Sequence, residues 1–414
     1  MKKRVLLFFP DNPHVPRSGA HRRCLSMLYG LKSLGYEIFF VSSTLYSGSS
    51  WSAKDTGSFK NHLGDALGDV LVFRANIFQH LFVKSFRAYW KITGKVFCKQ
   101  LYAPPFLKSW FRQIIKNIDP SVVFMNYAYW DPLIDHNYLD FHKKIKVIDT
   151  HDILSLNRQY YRAMRGIFGR DSDKSRYHES IVSDEFLNKL QFKADPDEFA
   201  IYDLYTHCIS ISKSEDDLIR NNTTKTNVAY IPITCKPVYN NNSYLASPVF
   251  AMGPNIFNYH GYLYFSRRVA PIIVRDVDHF SVDITGSGRI YDKCKRENWA
   301  RFLGFVPSLS SVYRHAAFAL CPVVVGTGQQ VKIVEAMAHG LGVVCHPAAA
   351  KDSLVRHGVN GLIAQTAEEF AEYVKQLFLD RALCRRLGSA ARQTVEAEAS
   401  DASLTGWLSR FLPS

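Results

Sequence analysis

Pro322-Val323-Val324-Val325-Gly326-Thr327-Gly328-Gln329-Gln330-Val331-Lys332-Ile333-Val334-Glu335-Ala336-Met337-Ala338-His339-Gly340 is the stretch on which the reading of this chain turns. Gly326 and Gly328 free the backbone just ahead of an apolar run of helical character, so a helix starting near Gln329 is expected. Such a helix aims its unpaired N–H groups and the positive end of its dipole at an anion. Lys332, one turn in, adds a charge suited to a diphosphate. Glu335, two turns from the start, offers a carboxylate able to accept both hydroxyls of a ribose. The bland alternative is a solvated or ion-paired Glu335 on a surface helix. Its neighbours Ile333, Val334, Ala336, Met337 and Ala338 instead predict burial, where a carboxylate needs partners.

Working outward, the second half shows strands ending in glycine or proline. Ile256–His260 leads to Gly261, Phe280–Ile284 to Gly286 and Gly288, Phe318–Leu320 to Pro322, and Gly342–Cys345 to His346-Pro347. Gly304-Phe305-Val306-Pro307 marks another strand end. Singly these are weak signals, since a lone GxG is more often a tight turn. The first half repeats the rhythm. Val5–Phe9 is a short apolar run suited to a strand buried on both faces. A helix His21–Leu34 follows, closed by Gly35, and then strands Glu37–Val41, Asp69–Phe73, Val122–Met125, Lys146–Ile148, His207–Ser212 and Val228–Pro232. Apolar strands alternating with helical crossovers predict an α/β chain of two Rossmann-like domains facing across a cleft. Residues 1–238 form the acceptor-side domain and 239–414 the donor domain, with the last helix crossing back. The turn-rich Lys236–Ser243 is the linker, and Leu154–Glu198 is loop and helix over the cleft.

The chain has 414 residues and a formal charge of +14, which calls for an anionic partner: nucleic acid, lipid or a phosphorylated small molecule. No apolar run is long enough to span a bilayer, and the apolar start meets Pro10 too early for a secretory leader. The eight cysteines show no metal-ligand spacing, which favours reduced thiols in a cytoplasmic protein. Between Asp69 and Asp119 no acidic residue occurs, while Arg74, Lys84, Arg87, Lys91, Lys95, Lys99, Lys108, Arg112 and Lys116 do. Among them stand Phe78, Phe82, Phe86, Tyr89, Trp90, Phe97, Tyr102, Phe106, Trp110 and Phe111. This interleaving predicts peripheral contact with an anionic membrane through residues 74–116, at the inner face of the cell membrane. The competing reading is a pair of amphipathic helices that bury the rings.

The run Gly326–Gly340 followed by Val343-Val344 resembles the donor-site motif of GT-B glycosyltransferases, closest to the retaining group of bacterial hexosyl- and mannosyltransferases. Gly19 after the first strand, Asp149-Thr150-His151-Asp152, Ile209–Ser212, Gly261, Gly286, Gly304 and Gly358–Gly361 fall in the same order. The resemblance implies a metal-independent hexosyltransferase with a nucleoside diphosphate sugar as donor substrate, no cofactor and no nucleic-acid partner. Its acceptor would be a lipid-linked, polysaccharide or glycolipid precursor, and the anomeric configuration would be retained. Donor-binding positions carried over are Gly19, Arg267, Arg268, Gly286, Gly326, Thr327, Gly328, Gln329, Lys332 and Glu335. Relatives often have a second acid where Thr327 stands, so the sugar contact differs here. His151 and Asp152 fall where relatives place the group beside the reacting sugar. The residues agree, because a His between Asp149 and Asp152 would have a proton partner and a fixed orientation. An Asp N-cap with His151 packed inside is the structural alternative, and a solvated helical pair is the alternative for Arg267 and Arg268. An inverting transferase with Asp152 or His151 as base, a sugar-nucleotide epimerase, and a basic membrane- or nucleic-acid-binding module are the rival functions.

Overall fold

The computed structural model describes residues 2–14, 19–45, 51–93, 103–137, 143–164, 166, 174–287, 294, 297–326 and 328–412. Two compact units result. The first comprises Met1–Arg158, Lys193–Pro232 and Asp401–Ser414; the second comprises Gln159–Phe192 and Ile233–Ser400. This division departs from a single break at 238/239. Residues 159–192 belong with the second unit because Tyr160, Met164, Ile181 and Val182 are buried in its core.

The first unit holds the strands β1 (Arg4–Phe8), β2 (Glu37–Ser43), β3 (Leu67–Phe73), β4 (Val122–Asn126), β5 (Ile145–Asp149), β6 (His207–Ser210) and β7 (Asn227–Tyr230) in the order β3-β2-β1-β4-β5-β6-β7. Every described pairing is parallel. Because side chains alternate along a strand, β1 sends Leu6 and Phe8 into one apolar layer and Val5, Leu7 and the following Phe9 into the other. That is why its sequence is apolar without alternation. The helix Asp401–Leu408 packs on the helix Gly19–Ser33, where a Cβ on Gly30 would stand 2.6 Å from Leu408 Cδ1.

The second unit holds β8 (Val249–Ala251), β9 (Val282–Thr285), β10 (Ala300–Gly304), β11 (Ala319–Cys321), β12 (Val343–Cys345) and β13 (Gly361–Ile363) in the order β10-β9-β8-β11-β12-β13, again parallel. One expectation is overturned here. Ile256–His260 is not a strand but the first part of the helix Ile256–Tyr264. The side chain of Asn255 accepts the N–H of Asn258 and caps that helix, and Val249–Ala251 is the strand. Gly340 adopts φ +75° after the helix Val331–Ala338, and its carbonyl lies 2.0 Å from where a Cβ on Gly388 would stand. Two glycines therefore let that turn touch the helix Arg381–Glu398. Among the described residues no helix is long and apolar enough to cross a membrane.

Candidate functional site

In each sheet the strand order reverses at one place: between β1 and β4 in the first unit, and between β8 and β11 in the second. Connections leave in opposite directions there, so the carboxyl edge opens into a crevice, the usual ligand position in such sheets.

At the second unit's reversal the chain runs from β11 through Pro322 and the glycine loop into the helix Val331–Ala338. Gly328 adopts φ +71°, a conformation that suits glycine. The helix starts at Val331, later than the sequence led us to expect. Lys332 therefore sits in its first turn and Glu335 one turn on. Gln330 at the N-cap makes no side-chain capping bond, so the first-turn N–H groups have no side-chain cap, although that of Ile333 donates to the Gln330 carbonyl. Lys332 Nζ donates to Asn258 Oδ1 at 2.8 Å, and Asn258 Nδ2 donates to Gly253 O and Asn255 Oδ1. Gly253, just beyond β8, leaves this pair room: a Cβ there would lie 3.1 Å from Asn258 Nδ2 and 3.3 Å from Lys332 Nζ. Gly261 lets its helix approach the β11 loop, where a Cβ would meet Pro322 O at 2.8 Å. Burial pushes the Lys332 ammonium down to about 7, opposed only by nearby Cys321. No carboxylate forms an ion pair with Lys332 among the described residues. Glu335 is buried on the same helix, as its apolar neighbours predict. Gln329 is buried too and its Oε1 accepts the N–H of Ile233 at 2.7 Å, while its Nε2 has no partner among the described residues. Gly286 follows β9 and donates its N–H to Gly304 O. Thr327 and Gly288 lie outside the described residues.

Arg267 and Arg268 are not gathered into this cluster. Arg267 pairs with Glu179, and Arg268 donates to Val182 O and to Asp184 Oδ2 at 3.2 Å. Their guanidinium groups hold the segment 174–189 rather than extending the Lys332 cluster, because two acids of that segment face them.

At the first unit's reversal, β1, β4 and β5 end together. Gly19 opens the helix Gly19–Ser33, and one turn in stands Arg23, almost fully buried. Its Nε meets the Asp149 carboxylate at 2.7 and 2.9 Å, and its Nη1 donates to Ile231 O at 2.9 Å. His151 is buried and takes a left-handed backbone, φ +58°. Its imidazole stacks on Tyr127, with centroids 4.3 Å apart. The expected placement between two carboxylates is corrected here. The Asp149 carboxylate, 3.8 Å away, is taken by Arg23, and Asp152 is hydrogen-bonded to Asn157. His151 Nε2 instead meets Asn126 Oδ1 at 2.6 Å. Burial is the main cause that pushes the imidazole down to about 4, with Arg23 and His21 adding to it and Asp149 opposing.

Two buried carboxylates that sequence reading missed hold the loop in place. Glu198 accepts the N–H groups of Leu154 and Ser155 at 2.8 and 2.9 Å, and Glu215 accepts that of Ile153 at 3.3 Å. Asn126, Arg23 and Asn258 were missed as well. A signal existed for Asn126, the single polar residue closing an otherwise apolar strand. Another existed for Asn258, three residues after a second asparagine at a helix start.

The basic, aromatic segment divides. In the helix Pro105–Ile118, Leu107, Phe111, Ile114 and Ile115 face the core, and Phe106 and Trp110 pack on Phe73. Phe111 is buried, and Phe106 and Trp110 are partly buried against the same core, which leaves less of Trp110 for insertion than the sequence leads one to expect. The helix Ile77–Thr93 behaves differently. Ile77, Phe78, Leu81, Phe82, Phe86 and Tyr89 are exposed, Phe78 at 77%, while Val83 is buried. Lys95, Phe97, Lys99 and Tyr102 lie outside the described residues, as do the side chains of Arg87, Trp90 and Lys91.

The family model of the glycosyl transferases group 1 matches residues 248–380, which span the Asn258–Lys332 cluster. No curated protein sequence matches the chain. Among solved structures, sucrose-phosphate synthase from Thermosynechococcus elongatus is similar over 99% of this chain and 98% of its own, with a TM-score of 0.64 and 12% identity. HepE from Anabaena, solved with UDP and glucose, gives 0.61 and 13% over 99% and 98%. WaaG, a glycosyltransferase involved in lipopolysaccharide biosynthesis, gives 0.57 and 9% over 99% and 100%.

Proposed function

We propose that this chain, whose residues 248–380 match the family model of the glycosyl transferases group 1, is a glycosyltransferase that moves a sugar from a nucleoside diphosphate sugar to an acceptor hydroxyl. The observation that carries the donor is Lys332: a partly buried ammonium with an amide partner and no acid, beside a helix start that has no side-chain cap and follows a glycine loop. A diphosphate supplies the missing countercharge, and the helix N–H groups bind its oxygens. Glu335, further along the helix, accepts the ribose hydroxyls. HepE, solved with UDP and glucose, supports a uridine nucleotide. The reaction needs no metal in this reading, since Lys332 and the helix dipole offset the charge that grows on the leaving diphosphate.

Retention of configuration is part of the proposal, and Asp152, the other candidate base, is engaged by Asn157. A buried imidazole with a proton affinity as low as that of His151 is a poor base at neutral pH. The leaving diphosphate oxygen takes the acceptor proton on the same face, and His151 holds a sugar hydroxyl. The acceptor is a lipid-linked or polysaccharide precursor at the inner face of the membrane. What supports this is the exposed apolar row of the helix Ile77–Thr93 in a stretch without acids. WaaG, with its role in lipopolysaccharide biosynthesis, is consistent with such an acceptor.

Calorimetry with UDP, GDP and dTDP, followed by a transfer screen with their sugars, tests the reading. One of them should bind wild-type protein, and Lys332→Met should bind it at least tenfold more weakly. His151→Ala should lose turnover far more than donor affinity. If no nucleoside diphosphate binds the folded wild type, the donor assignment fails.

A further inference from the structure

We propose that Asn126 is a positioning residue that locks His151 as its neutral Nε2–H tautomer and so leaves Nδ1 as a hydrogen-bond acceptor for a substrate hydroxyl. This deepens the reading of His151 as a sugar-holding group and rests on it. The argument starts from the amide. Asn126 Nδ2 donates to the carbonyl of Phe8 at 2.7 Å, and a carbonyl cannot donate, so the nitrogen must face Phe8. Oδ1 then faces His151 and can only accept, so the proton on the imidazole is on Nε2. A neutral imidazole has one N–H, which makes Nδ1 the bare nitrogen. It has no hydrogen bond among the described residues.

The surroundings keep the ring in that state. Asp149 is the carboxylate that would draw a second proton, and Arg23 engages it through Nε at 2.7 and 2.9 Å. The groups facing the ring are Asp149 on β5, Arg23 and His21 on the helix Gly19–Ser33, Tyr127 after β4 and Phe9 after β1. Asp152 follows in the loop and is bound to Asn157. The stack on Tyr127 and the left-handed backbone of His151 fix the plane of the ring, and Asn126 fixes which nitrogen carries hydrogen. Carboxylate in place of amide would reverse the logic, since an anion at Oδ1 stabilises imidazolium.

Two measurements test this on the full chain. The first is nitrogen NMR of histidine-labelled wild-type protein, with the His151 signals identified by their loss in His151→Gln. A pyrrole-like Nε2 and a pyridine-like Nδ1, unchanged from pH 5.5 to 8, are expected. A protonated Nδ1, or titration of the ring between pH 6 and 7, overturns the proposal. This readout does not depend on activity, so it stands if the transferase reading fails. The second is Asn126→Asp, checked for folding by its thermal transition and for nucleotide binding by calorimetry. The His151 ring should then titrate at least one pH unit higher. Turnover should fall on the acid side, along a new pH-dependent limb that follows the raised titration, while nucleotide affinity at neutral pH stays within about twofold. Unchanged titration and pH profile in a folded variant would sink the positioning role. If that variant does not fold, Asn126→Ser and the wild-type spectrum decide the matter: a hydroxyl can donate as well as accept, so Asn126→Ser should show a mixture of Nε2–H and Nδ1–H tautomers, and an unchanged Nε2–H tautomer would overturn the proposal.

Discussion

Lys332 is where charge and burial are most directly in conflict. Its ammonium sits well below its ordinary value of 10.5, at about 7, because burial strips water from the charged form. Between those values the unfolded chain keeps a proton that the folded one releases, so stability from this group rises with pH across the window. Lys332→Met removes the penalty. The variant without ligand should melt higher than wild type at pH 6, and the gap should close by about pH 10, which scanning calorimetry at several pH values would show. Nucleotide binding should run the other way. A diphosphate favours the protonated amine, so wild-type affinity should be greatest below pH 7 and weaken above it. Calorimetry above pH 7 in buffers of different ionisation enthalpy should register proton uptake on binding. Glu335→Gln is the second residue-scale case. A neutral amide cannot accept at both oxygens, and the expected cost to nucleotide binding is about 1–3 kcal/mol. A folded variant with wild-type affinity would remove Glu335 from the site.

Among the elements, the helix Ile77–Thr93 stands apart because it buries Val83 while exposing six large apolar or aromatic side chains. Water alone does not favour such a surface, and a bilayer interface with anionic headgroups is the partner proposed for it. Each basic residue close to that surface contributes about 1 kcal/mol. Flotation should recover the wild type with anionic vesicles and much less with neutral ones. Charge reversal at Lys84, Arg87, Lys91 and Lys95 should release it without changing nucleotide affinity. Equal recovery with both vesicle types, or none with either, would refute the membrane assignment. The neighbouring helix Pro105–Ile118 carries the same mixture of basic and aromatic residues, yet its rings pack on Phe73 and the core. Both helices mix basic and aromatic residues; helical phase and the neighbouring strand separate them.

For the whole molecule, the chain crosses between the two units four times. The helix Asp401–Leu408 returns to the first unit and buries Leu404, Leu408 and, just beyond it, Leu412. Fully burying one leucine stabilises by about 1.5–3 kcal/mol. Truncation after Ser400 should therefore lower the melting of the first unit by several degrees and leave nucleotide binding in the second intact. Calorimetry resolving the two transitions would check it. A single transition shifted as a whole would mean that the units do not melt separately.

The apolar runs and the glycines around them were enough to read most strands, because a strand buried on both faces must be apolar throughout. Val5–Phe9, Val122–Met125 and Phe318–Leu320 are legible for that reason. The glycine loop and the helix with Lys332 and Glu335 were legible as well, since a left-handed Gly328 and a buried helix constrain residue type directly. Ile256–His260 was not. A mixed run of five residues has no distinguishing period, and the Asn255 cap that makes it a helix acts through one side chain. Nor could spacing show that Asp149 belongs to Arg23, that His151 leans on Asn126, or that Arg267 and Arg268 pair with Glu179 and Asp184. These partners are separated by 25 to 126 residues along the chain. Local propensity carries no information over such distances; only packing brings a donor to its acceptor and decides which charge is left without one.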